Sequence, residues 1–367
     1  MGATRHCSQF TGAISARGTN AMGNKCVWVI GDIHGMSDPL RLLFQHIRSF
    51  DFDRGEQSKL VFLGDYIDYG PSSREVIDIL LAAEEEWPTV FIAGNHDDML
   101  LHFVNQTDIL EQYGNVWFNG NGGQTSIVSF DRHPQVAQKL FLDRIRQRPF
   151  KAEDFVLEDQ YLDFFQRMSY AHQDSIGEGE QAVNFAFTHA GLYQKARARS
   201  YDPPDISIER QLGLTTFDAY HACHRNSRVS PDALHLWNRV EPDTRFGDFI
   251  LVHGHTPTLY LGQFWEDIGN YNASLARPFV KFISPQPHGH HHTDWPERTC
   301  FERSLSDVIS VNVDTGAVFG GALTALILSE EELLENQTMK YLQVRLDRSY
   351  REGNMDGMRL VFRQAPE

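Results

Sequence analysis

Near the start of the chain, an apolar strand, a turn led by glycine and an amphipathic helix follow one another three times. The strand segments read CVWVI, LVFL and TVFIA, and the turns read GDIHG, GDYIDYG and GNHD. Strands that alternate with helices at this interval predict right-handed crossovers and a largely parallel sheet. The three turns would then share one carboxyl edge, which is where open α/β sheets bind ligands.

Cap and turn residues mark where the first two helices begin. The first has Ser37 and Asp38 as cap candidates, with Pro39 in its first turn. The second has Ser72 and Glu75 at the spacing of a capping box. Both segments are therefore predicted to be helices that return the chain to the next strand.

Short apolar segments return in the second half of the chain and predict a second sheet. They read NFAFTHAGL, FILVHGHTP, VISVNVDTGAV and GALTALIL, and each is bounded by turn residues. Before them, residues from about 100 to 180 are polar and helical in tendency, which predicts a helical insertion. The predicted fold is α/β (α+β by some schemes), with two packed mixed β-sheets flanked by helices.

Composition shifts suggest the domain boundaries. Residues 1–24 mix Gly, Ser, Thr and Ala without periodicity and predict a flexible leader. Residues 25–328 form the predicted folded domain, and residues 329–367 are expected to be an extension packed on or beside it. The tract HGHHH at 288–292 predicts an exposed loop, with metal binding as a side hypothesis.

Charge and cysteine content exclude some classes of partner. The chain has 33 basic and 49 acidic residues, for a formal charge of -16, which repels nucleic acid and anionic lipid. We therefore expect no nucleic-acid partner. Because no apolar run approaches the length of a membrane helix, we also expect no membrane insertion. Four cysteines without CxxC spacing read as reduced thiols, so a cytoplasmic location is expected. The oligomeric state is left open.

Residues that commonly bind metals cluster at the predicted strand ends. Oxygen and imidazole donors without thiolates suit catalytic Mn, Fe, Zn or Mg better than a structural zinc. The residues are Asp32, His34, Asp65, Asp68, Asn95, His96, Asp97, His189, His253 and His255.

Each of these residues also has an ordinary structural explanation. Asp32 could be a turn former, and His189 or His253 could be satisfied core histidines. His253 keeps that explanation. For the others, the coincidence at five separate strand ends favours a shared metal site.

The ordered motifs GDIHG, GDYIDYG, GNHD, THAG and HGHTP resemble the signatures of the PPP-type metallophosphatases. The segments WFNGNGG, LWNR and VDTGAVFGGALT are similar to the bacterial and bacteriophage branch of that family, and the resemblance spans roughly residues 25 to 327. It implies that 25–328 is a metallophosphatase catalytic domain in the calcineurin-like superfamily.

The resemblance implies a site for two divalent cations, with Mn preferred and Fe or Zn as alternatives. Asp32 and His34 would bind the first cation, and Asp65 would bridge both. The second cation would have three further ligands, which are Asn95, His189 and His255. A bridging hydroxide would attack phosphorus directly, without a phosphoenzyme.

The same resemblance assigns the proton and phosphate chemistry. His96 would be the general acid for the leaving oxygen, and Asp68 would hold its imidazole. Arg239 in LWNR would bind a phosphate oxygen, together with Asn95. The family usually has a second arginine where this chain has Tyr69, which could donate a hydrogen bond or stack on an aromatic leaving group.

The leading functional hypothesis is a phosphoprotein phosphatase that hydrolyses phosphoserine and phosphothreonine, with phosphotyrosine as a further substrate to test. A phosphorylated protein is then the expected partner. A symmetrical dinucleoside tetraphosphate hydrolase is the enzyme alternative, because such hydrolases share the core motifs. A noncatalytic phospho-binding module is the alternative from another class, and Tyr69 is the feature in its favour.

Overall fold

The protein contains two β-sheets packed face to face, with helices on the outer side of the first sheet. This computed structural model describes residues 26–105, 117–118, 120–131, 155–192, 207–227, 235–239, 242, 244–258, 278–282, 305–345 and 350–355. The helices are α1 (Ser37–Arg54), α2 (Ser73–Glu84), α3 (Asn95–Val104), α4 (Gly123–Phe130), α5 (Asp159–Gln166), α6 (Ile208–Leu212) and α7 (Phe217–Ser227).

The first sheet combines the predicted parallel strands with an antiparallel half. Its strands are β1 (Cys26–Ile30), β2 (Lys59–Phe62), β3 (Thr89–Phe91), β9 (Leu323–Ser329), β10 (Met339–Val344) and β11 (Tyr350–Met355). Their order is β11-β10-β9-β1-β2-β3. Strands β1, β2 and β3 are parallel, whereas β9 runs antiparallel to β1. The two crossovers place the first three turns at one edge.

The second sheet carries the remaining strands in the order β4-β5-β6-β8-β7. They are β4 (His172–Ile176), β5 (Val183–Phe187), β6 (Phe249–His253), β7 (Phe279–Phe282) and β8 (Val308–Asn312). Strands β5, β6 and β8 are parallel to one another, and β4 and β7 are antiparallel at the edges. The prediction of two mixed sheets with flanking helices is confirmed.

Strand β1 shows how the layers are built from the sequence. Val27 and Val29 contribute to the core between the sheets, whereas Trp28 and Ile30 contribute to the core beneath the helices. Because side chains alternate along a strand, a wholly apolar strand can serve two cores at once. The strand is buried on both faces, which holds the turn at its end in a fixed place.

The helix starts differ in detail from the predicted caps. Helix α1 begins at Ser37, but its N-cap is Met36 and no side chain caps it. Ser72 is the N-cap of α2, yet its side chain makes no capping hydrogen bond. Glu75 instead accepts hydrogen bonds from Ser37 and from an arginine of α1, so the predicted capping box is wrong. The carboxylate joins α1 to α2 rather than closing its own helix.

The predicted insertion and extension are only partly within the described residues. The described insertion contains α4 and α5, and its last part, β4, is a strand of the second sheet. After residue 328 the chain contributes β10 and β11 to the first sheet. The leader and the HGHHH tract lie outside the described residues. Within the described ranges, no helix combines the length and apolarity needed to cross a membrane.

Gly64 links the turn after β2 to the turn after β3. Its φ is +99°, and a Cβ there would lie 2.4 Å from the amide nitrogen of Gly94. Gly55, which ends α1, also has a positive φ of +67° but has nothing within 4 Å of a Cβ position. Comparing the two glycines therefore distinguishes the cost of a left-handed backbone from the cost of a clash with neighbouring backbone.

We predict that Gly64→Ala destabilises the protein much more than Gly55→Ala. The Gly55 variant should lose about 1 kcal/mol, the cost of a left-handed residue with a Cβ. The Gly64 variant adds a clash with backbone, so its loss should be on the order of 3 kcal/mol or more. Urea unfolding of both variants measures the difference, and equal losses would show that the two turns do not need this contact.

Candidate metal centre

The ligand-bearing turns meet at the carboxyl edges of β1, β2, β5 and β6. Asp32 and His34 follow β1, Asp65 follows β2, His189 follows β5 and His255 follows β6. Several of these residues are held in the left-handed region, which costs free energy for any residue with a Cβ. In the described chain, the non-glycine residues with positive φ are His34, Asp65, Asp68, Tyr69, His255 and Gln337. All but the last lie at this site.

The first group of donor atoms meets at Asp65 Oδ2. Ligand atoms of His34, Asp65 and His96 all lie within 4.8 Å of one another. His34 donates from Nδ1 to the carbonyl of Ile67 (2.9 Å), so its Nε2 lone pair faces Asp65 Oδ2 at 3.5 Å. Burial lowers the pKa of His34 to about 4, against the raising effect of Asp65. The imidazole is therefore neutral and able to bind a metal.

The second group of donor atoms meets at the same oxygen of Asp65, Oδ2. His189 donates from Nδ1 to the carbonyl of Leu63 (2.8 Å), which leaves a lone pair on Nε2. That nitrogen lies 3.4 Å from Asp65 Oδ2, 3.0 Å from Asn95 Oδ1 and 3.2 Å from His255 Nδ1. Asn95 Oδ1 lies 2.9 Å from His255 Nδ1.

This second group fits a cation better than it fits a closed hydrogen-bond network. Asp65 Oδ2, Asn95 Oδ1 and the Nε2 of His189 all present lone pairs to one small volume. His255 Nε2 is buried and has no hydrogen-bond partner, so hydrogen bonds do not satisfy this ring fully, and in the Nε2–H tautomer its Nδ1 adds a fourth lone pair to the same volume. Burial, followed by the neighbouring His189 and Arg239, keeps the pKa of His255 well below its ordinary value. The donors suit the divalent metal that the sequence predicts.

Asp65 is fixed from several directions. Its Oδ1 accepts the backbone N–H of His96 at 3.0 Å. Asp97 accepts the backbone N–H groups of Asp65 (2.8 Å) and Gly94 (2.9 Å), and so joins the second turn to the third. Burial alone would raise the pKa of Asp65, but the three nearby imidazoles hold it well below its ordinary value. Asp97, which the sequence places among the possible metal-binding residues, instead holds the backbone of two turns.

His96 and Asp68 form a buried pair beside the first group. His96 Nδ1 donates to Asp68 Oδ2 at 2.7 Å, and the Asp68 carboxylate also accepts Trp117 Nε1 (2.7 Å) and the Ser126 hydroxyl (2.5 Å). Burial raises the pKa of Asp68, and these three donors oppose that rise. Burial favours neutral His96, but Asp65 and Asp68 outweigh it and raise the pKa of His96 to about 9. The imidazole is therefore charged at neutral pH.

Asp32 lies next to a carboxylate that sequence reasoning missed. The backbone N–H of His255 donates to both oxygens of Asp32, at 3.3 and 3.1 Å. Asp314 raises the pKa of Asp32 further above the value that burial sets. Burial likewise raises the pKa of Asp314 to about 7, although Gly316 donates a backbone hydrogen bond to it. A Cβ on Gly254 would lie 2.2 Å from Asp32 Oδ1.

The only signal for Asp314 was its position in VDTG, directly after a predicted strand. Asp in such a turn reads as a turn former, so the segment indicates the family resemblance but no metal-binding role for Asp314. Two buried carboxylates with raised pKa values indicate a place where a cation is expected nearby.

The ring of Tyr69 packs beside two histidines of the site. Its ring centroid lies 5.1 Å from those of both His34 and His96, and 5.6 Å from that of Phe319. Its hydroxyl is 3.4 Å from Asn121 Oδ1. Burial, Asp65 and Asp68 raise the pKa of Tyr69 to about 12, so the hydroxyl stays a neutral donor.

Arg239 lies close enough for its charge to act on this site. It lowers the pKa values of Tyr69, His255 and Asp314, although its own side chain is exposed. Trp237 of the same LWNR segment packs edge-on to His255, with ring centroids 5.9 Å apart. His253 is buried, with its Nδ1 3.2 Å from the Gly254 carbonyl oxygen, and it belongs to neither ligand group.

Two sheets with histidine, aspartate and asparagine donors at their joint edge define a metal-binding phosphoesterase architecture. The family model described as calcineurin-like phosphoesterase matches residues 27–294, and the chain belongs to that family.

Curated relatives carry two kinds of name. An asymmetrical bis(5'-nucleosyl)-tetraphosphatase of Anoxybacillus flavithermus is 34% identical over 86% of this chain and 95% of its own length. One from Oceanobacillus iheyensis is 22% identical over 83% of this chain and 90% of its own length. Serine/threonine-protein phosphatase 1 of Salmonella typhimurium is 37% identical, over 25% of this chain and 40% of its own length.

Among solved structures, a cold-active protein tyrosine phosphatase aligns with a TM-score of 0.45 at 14% identity. The alignment covers 90% of this chain and 79% of that chain.

We predict that His96→Asn and Asp65→Asn fail in different ways. His96→Asn should lower turnover by about 10²–10⁴-fold, the usual loss for a general acid, with metal content unchanged. Asp65→Asn should lose metal, because both donor groups share its carboxylate. Turnover and metal analysis of the purified variants separate the two. Because His96 also lies in the first donor group, equal metal loss in both variants would make it a ligand instead.

Proposed function

We propose that this protein is a metal-dependent phosphoprotein phosphatase that hydrolyses phosphoserine and phosphothreonine. The observation that carries the proposal is the Asp65 carboxylate shared by two groups of metal-binding side chains, with the hydrogen-bonded pair of His96 and Asp68 next to it. Such a site can bind a phosphate ester between metal and acid.

In the proposed site, one divalent cation would be held by Asp32, His34 and Asp65, and a second would be held by Asp65 together with Asn95, His189 and His255. Bound cations of this kind polarise the phosphoryl oxygens and lower the pKa of water, with Mn as the preferred metal and Fe or Zn as alternatives. The protein residues exclude water from the site and fix the positions of the metal-binding atoms.

His96 supplies the proton for the leaving oxygen. Because its Nδ1 donates to Asp68, the proton that it can transfer is the one on Nε2. Asp68 fixes the ring and stabilises its charge, while Trp117 and Ser126 fix Asp68. The ester oxygen of serine is a poor leaving group, so a charged acid at this position lowers the barrier.

Arg239 and Asn95 bind the phosphate oxygens. Asn95 directs Oδ1 at the imidazoles of His189 and His255, so its Nδ2 is the group that can donate to phosphate. Arg239 adds a guanidinium, which binds a phosphate through two parallel hydrogen bonds. Tyr69 contributes a neutral hydroxyl and a ring face in place of a second arginine.

The charges of the site and of the whole protein favour a phosphate monoester on a protein over a polyphosphate. Replacing an arginine by Tyr69 removes one positive charge, and the protein carries a formal charge of -16. Both features disfavour a substrate with several adjacent negative charges. The ring of Tyr69 near Phe319 offers a surface for an aromatic ester, so phosphotyrosine is the second substrate to test.

Dinucleoside tetraphosphate hydrolysis is the second candidate, because the relatives with that name align over most of this chain. Those relatives are named asymmetrical, whereas the alternative drawn from the motifs was symmetrical cleavage. The products distinguish the two: symmetrical cleavage of diadenosine tetraphosphate gives two ADP, and asymmetrical cleavage gives ATP and AMP.

With Mn supplied, we expect phosphate release from phosphoserine and phosphothreonine peptides at a higher kcat/KM than cleavage of diadenosine tetraphosphate. Released phosphate and nucleotide products should be measured in parallel, with the His96→Asn variant as the control. Turnover of the dinucleotide alone would replace the proposal with the second candidate. If neither these substrates nor p-nitrophenyl phosphate is hydrolysed with Mn, Fe or Zn, the result supports the noncatalytic binding module.

We predict that Tyr69→Arg strengthens phosphate binding. A new charged hydrogen bond contributes roughly 1.5–3 kcal/mol, so the inhibition constant for inorganic phosphate should fall about tenfold or more. Tyr69→Phe, which keeps the ring and loses the hydroxyl, is the matched control and should not tighten binding. An unchanged inhibition constant in Tyr69→Arg would mean that position 69 does not face the phosphate.

A further inference from the structure

A second set of metal-binding side chains lies outside the candidate centre. Asp98 and His102 are one turn apart on α3, and His221 faces them from α7. Ligand atoms of these three residues lie within 4.8 Å of one another. The exposed fractions are 1% for Asp98, 2% for His102 and 9% for His221, so the cluster is shielded from water.

The distances within this cluster match one coordination sphere. His221 Nε2 lies 2.8 Å from Asp98 Oδ1, His102 Nε2 lies 3.5 Å from Asp98 Oδ2, and the two Nε2 atoms are 3.2 Å apart. Two ligand atoms bound to one tetrahedral Zn²⁺ at its usual bond lengths are about 3.3 Å apart. The three separations lie on either side of that value, so a cation fits between the side chains with small shifts.

The surroundings orient the ligands as they do in known metal sites. The Tyr170 hydroxyl donates to Asp98 Oδ1 at 2.5 Å, which fixes the carboxylate. Phe217 packs against both imidazoles, with centroids 5.2 Å from His102 and 4.4 Å from His221.

We propose that Asp98, His102 and His221 bind a single divalent cation of the zinc class, separate from the candidate centre. Two imidazoles and one carboxylate suit Zn²⁺, with one coordination position left for water. The cation joins α3 to α7. Because α3 begins with Asn95 and His96, it also fixes the helix that presents these two residues.

The test uses the full chain carrying both Asp65→Asn and His255→Asn, which disables the candidate centre. Zinc is the probe, measured by equilibrium dialysis and by the midpoint of thermal unfolding. His102→Gln and His221→Gln are each added to this background. His172→Gln, at a half-buried histidine of β4 bonded to Lys59, is the matched control.

We expect each of the two glutamine variants to bind one zinc fewer per chain than the background and to lose the rise in midpoint that zinc causes. The control should keep both. The HGHHH tract can bind zinc as well, but its share is unchanged in all variants and cancels in the difference. Equal zinc content in the background and in the two folded glutamine variants would overturn the proposal.

If the glutamine variants do not fold, as judged by circular dichroism, the background itself supplies the result through bound Co²⁺. Intense visible absorption of a four-coordinate cobalt that persists when the histidines of the HGHHH tract are changed to glutamine supports the site, and its absence overturns it. Neither measurement depends on phosphatase activity, so this proposal and the proposed function can fail separately.

Discussion

The carboxylate of Asp65 is the constraint around which the site is arranged. It lies 3.4 to 3.9 Å from the Nε2 atoms of three imidazoles, those of His34, His96 and His189. These groups come from three different turns and from both sheets. The buried Asp65 carboxylate is thus a common partner for imidazoles from both sheets. How the sheets pack determines whether these donor groups meet.

Holding this arrangement costs conformational free energy. Asp65, Asp68 and Tyr69 all have positive φ within one short turn, although each has a Cβ. A strained residue of this kind costs on the order of 1–3 kcal/mol, which must be offset by surrounding contacts. Here Asp97 holds the backbone of Asp65, and Ser126 accepts the backbone N–H of Asp68. The strain is concentrated where the donor groups need unusual directions.

Much of this could be predicted from local sequence because the information is local. The turns GDIHG and GNHD end apolar strands, and parallel strands bring such ends together. Asp314 was not predicted as part of the site because an Asp in VDTG looks like an ordinary turn residue. Its neighbour Asp32 is distant in sequence, and only folding brings the two together. Likewise, Asp98, His102 and His221 have no motif, since α7 lies far along the chain from α3.

The edge strands and helix caps show the same limit. Strand β10 reads as part of an extension, because MKYLQV is too short and mixed to be assigned to a sheet from its pattern. Glu75 has the spacing of a capping box, but Ser37 and an arginine of α1 compete for its carboxylate. Such tertiary competition is invisible to a rule based on spacing.

If Asp65 is shared by two bound cations, crystals loaded with Mn should show it by anomalous X-ray diffraction. We expect two metal peaks, both in contact with the Asp65 carboxylate, with His34 at one and His189 at the other. A single peak, or two peaks that Asp65 does not contact, would contradict it.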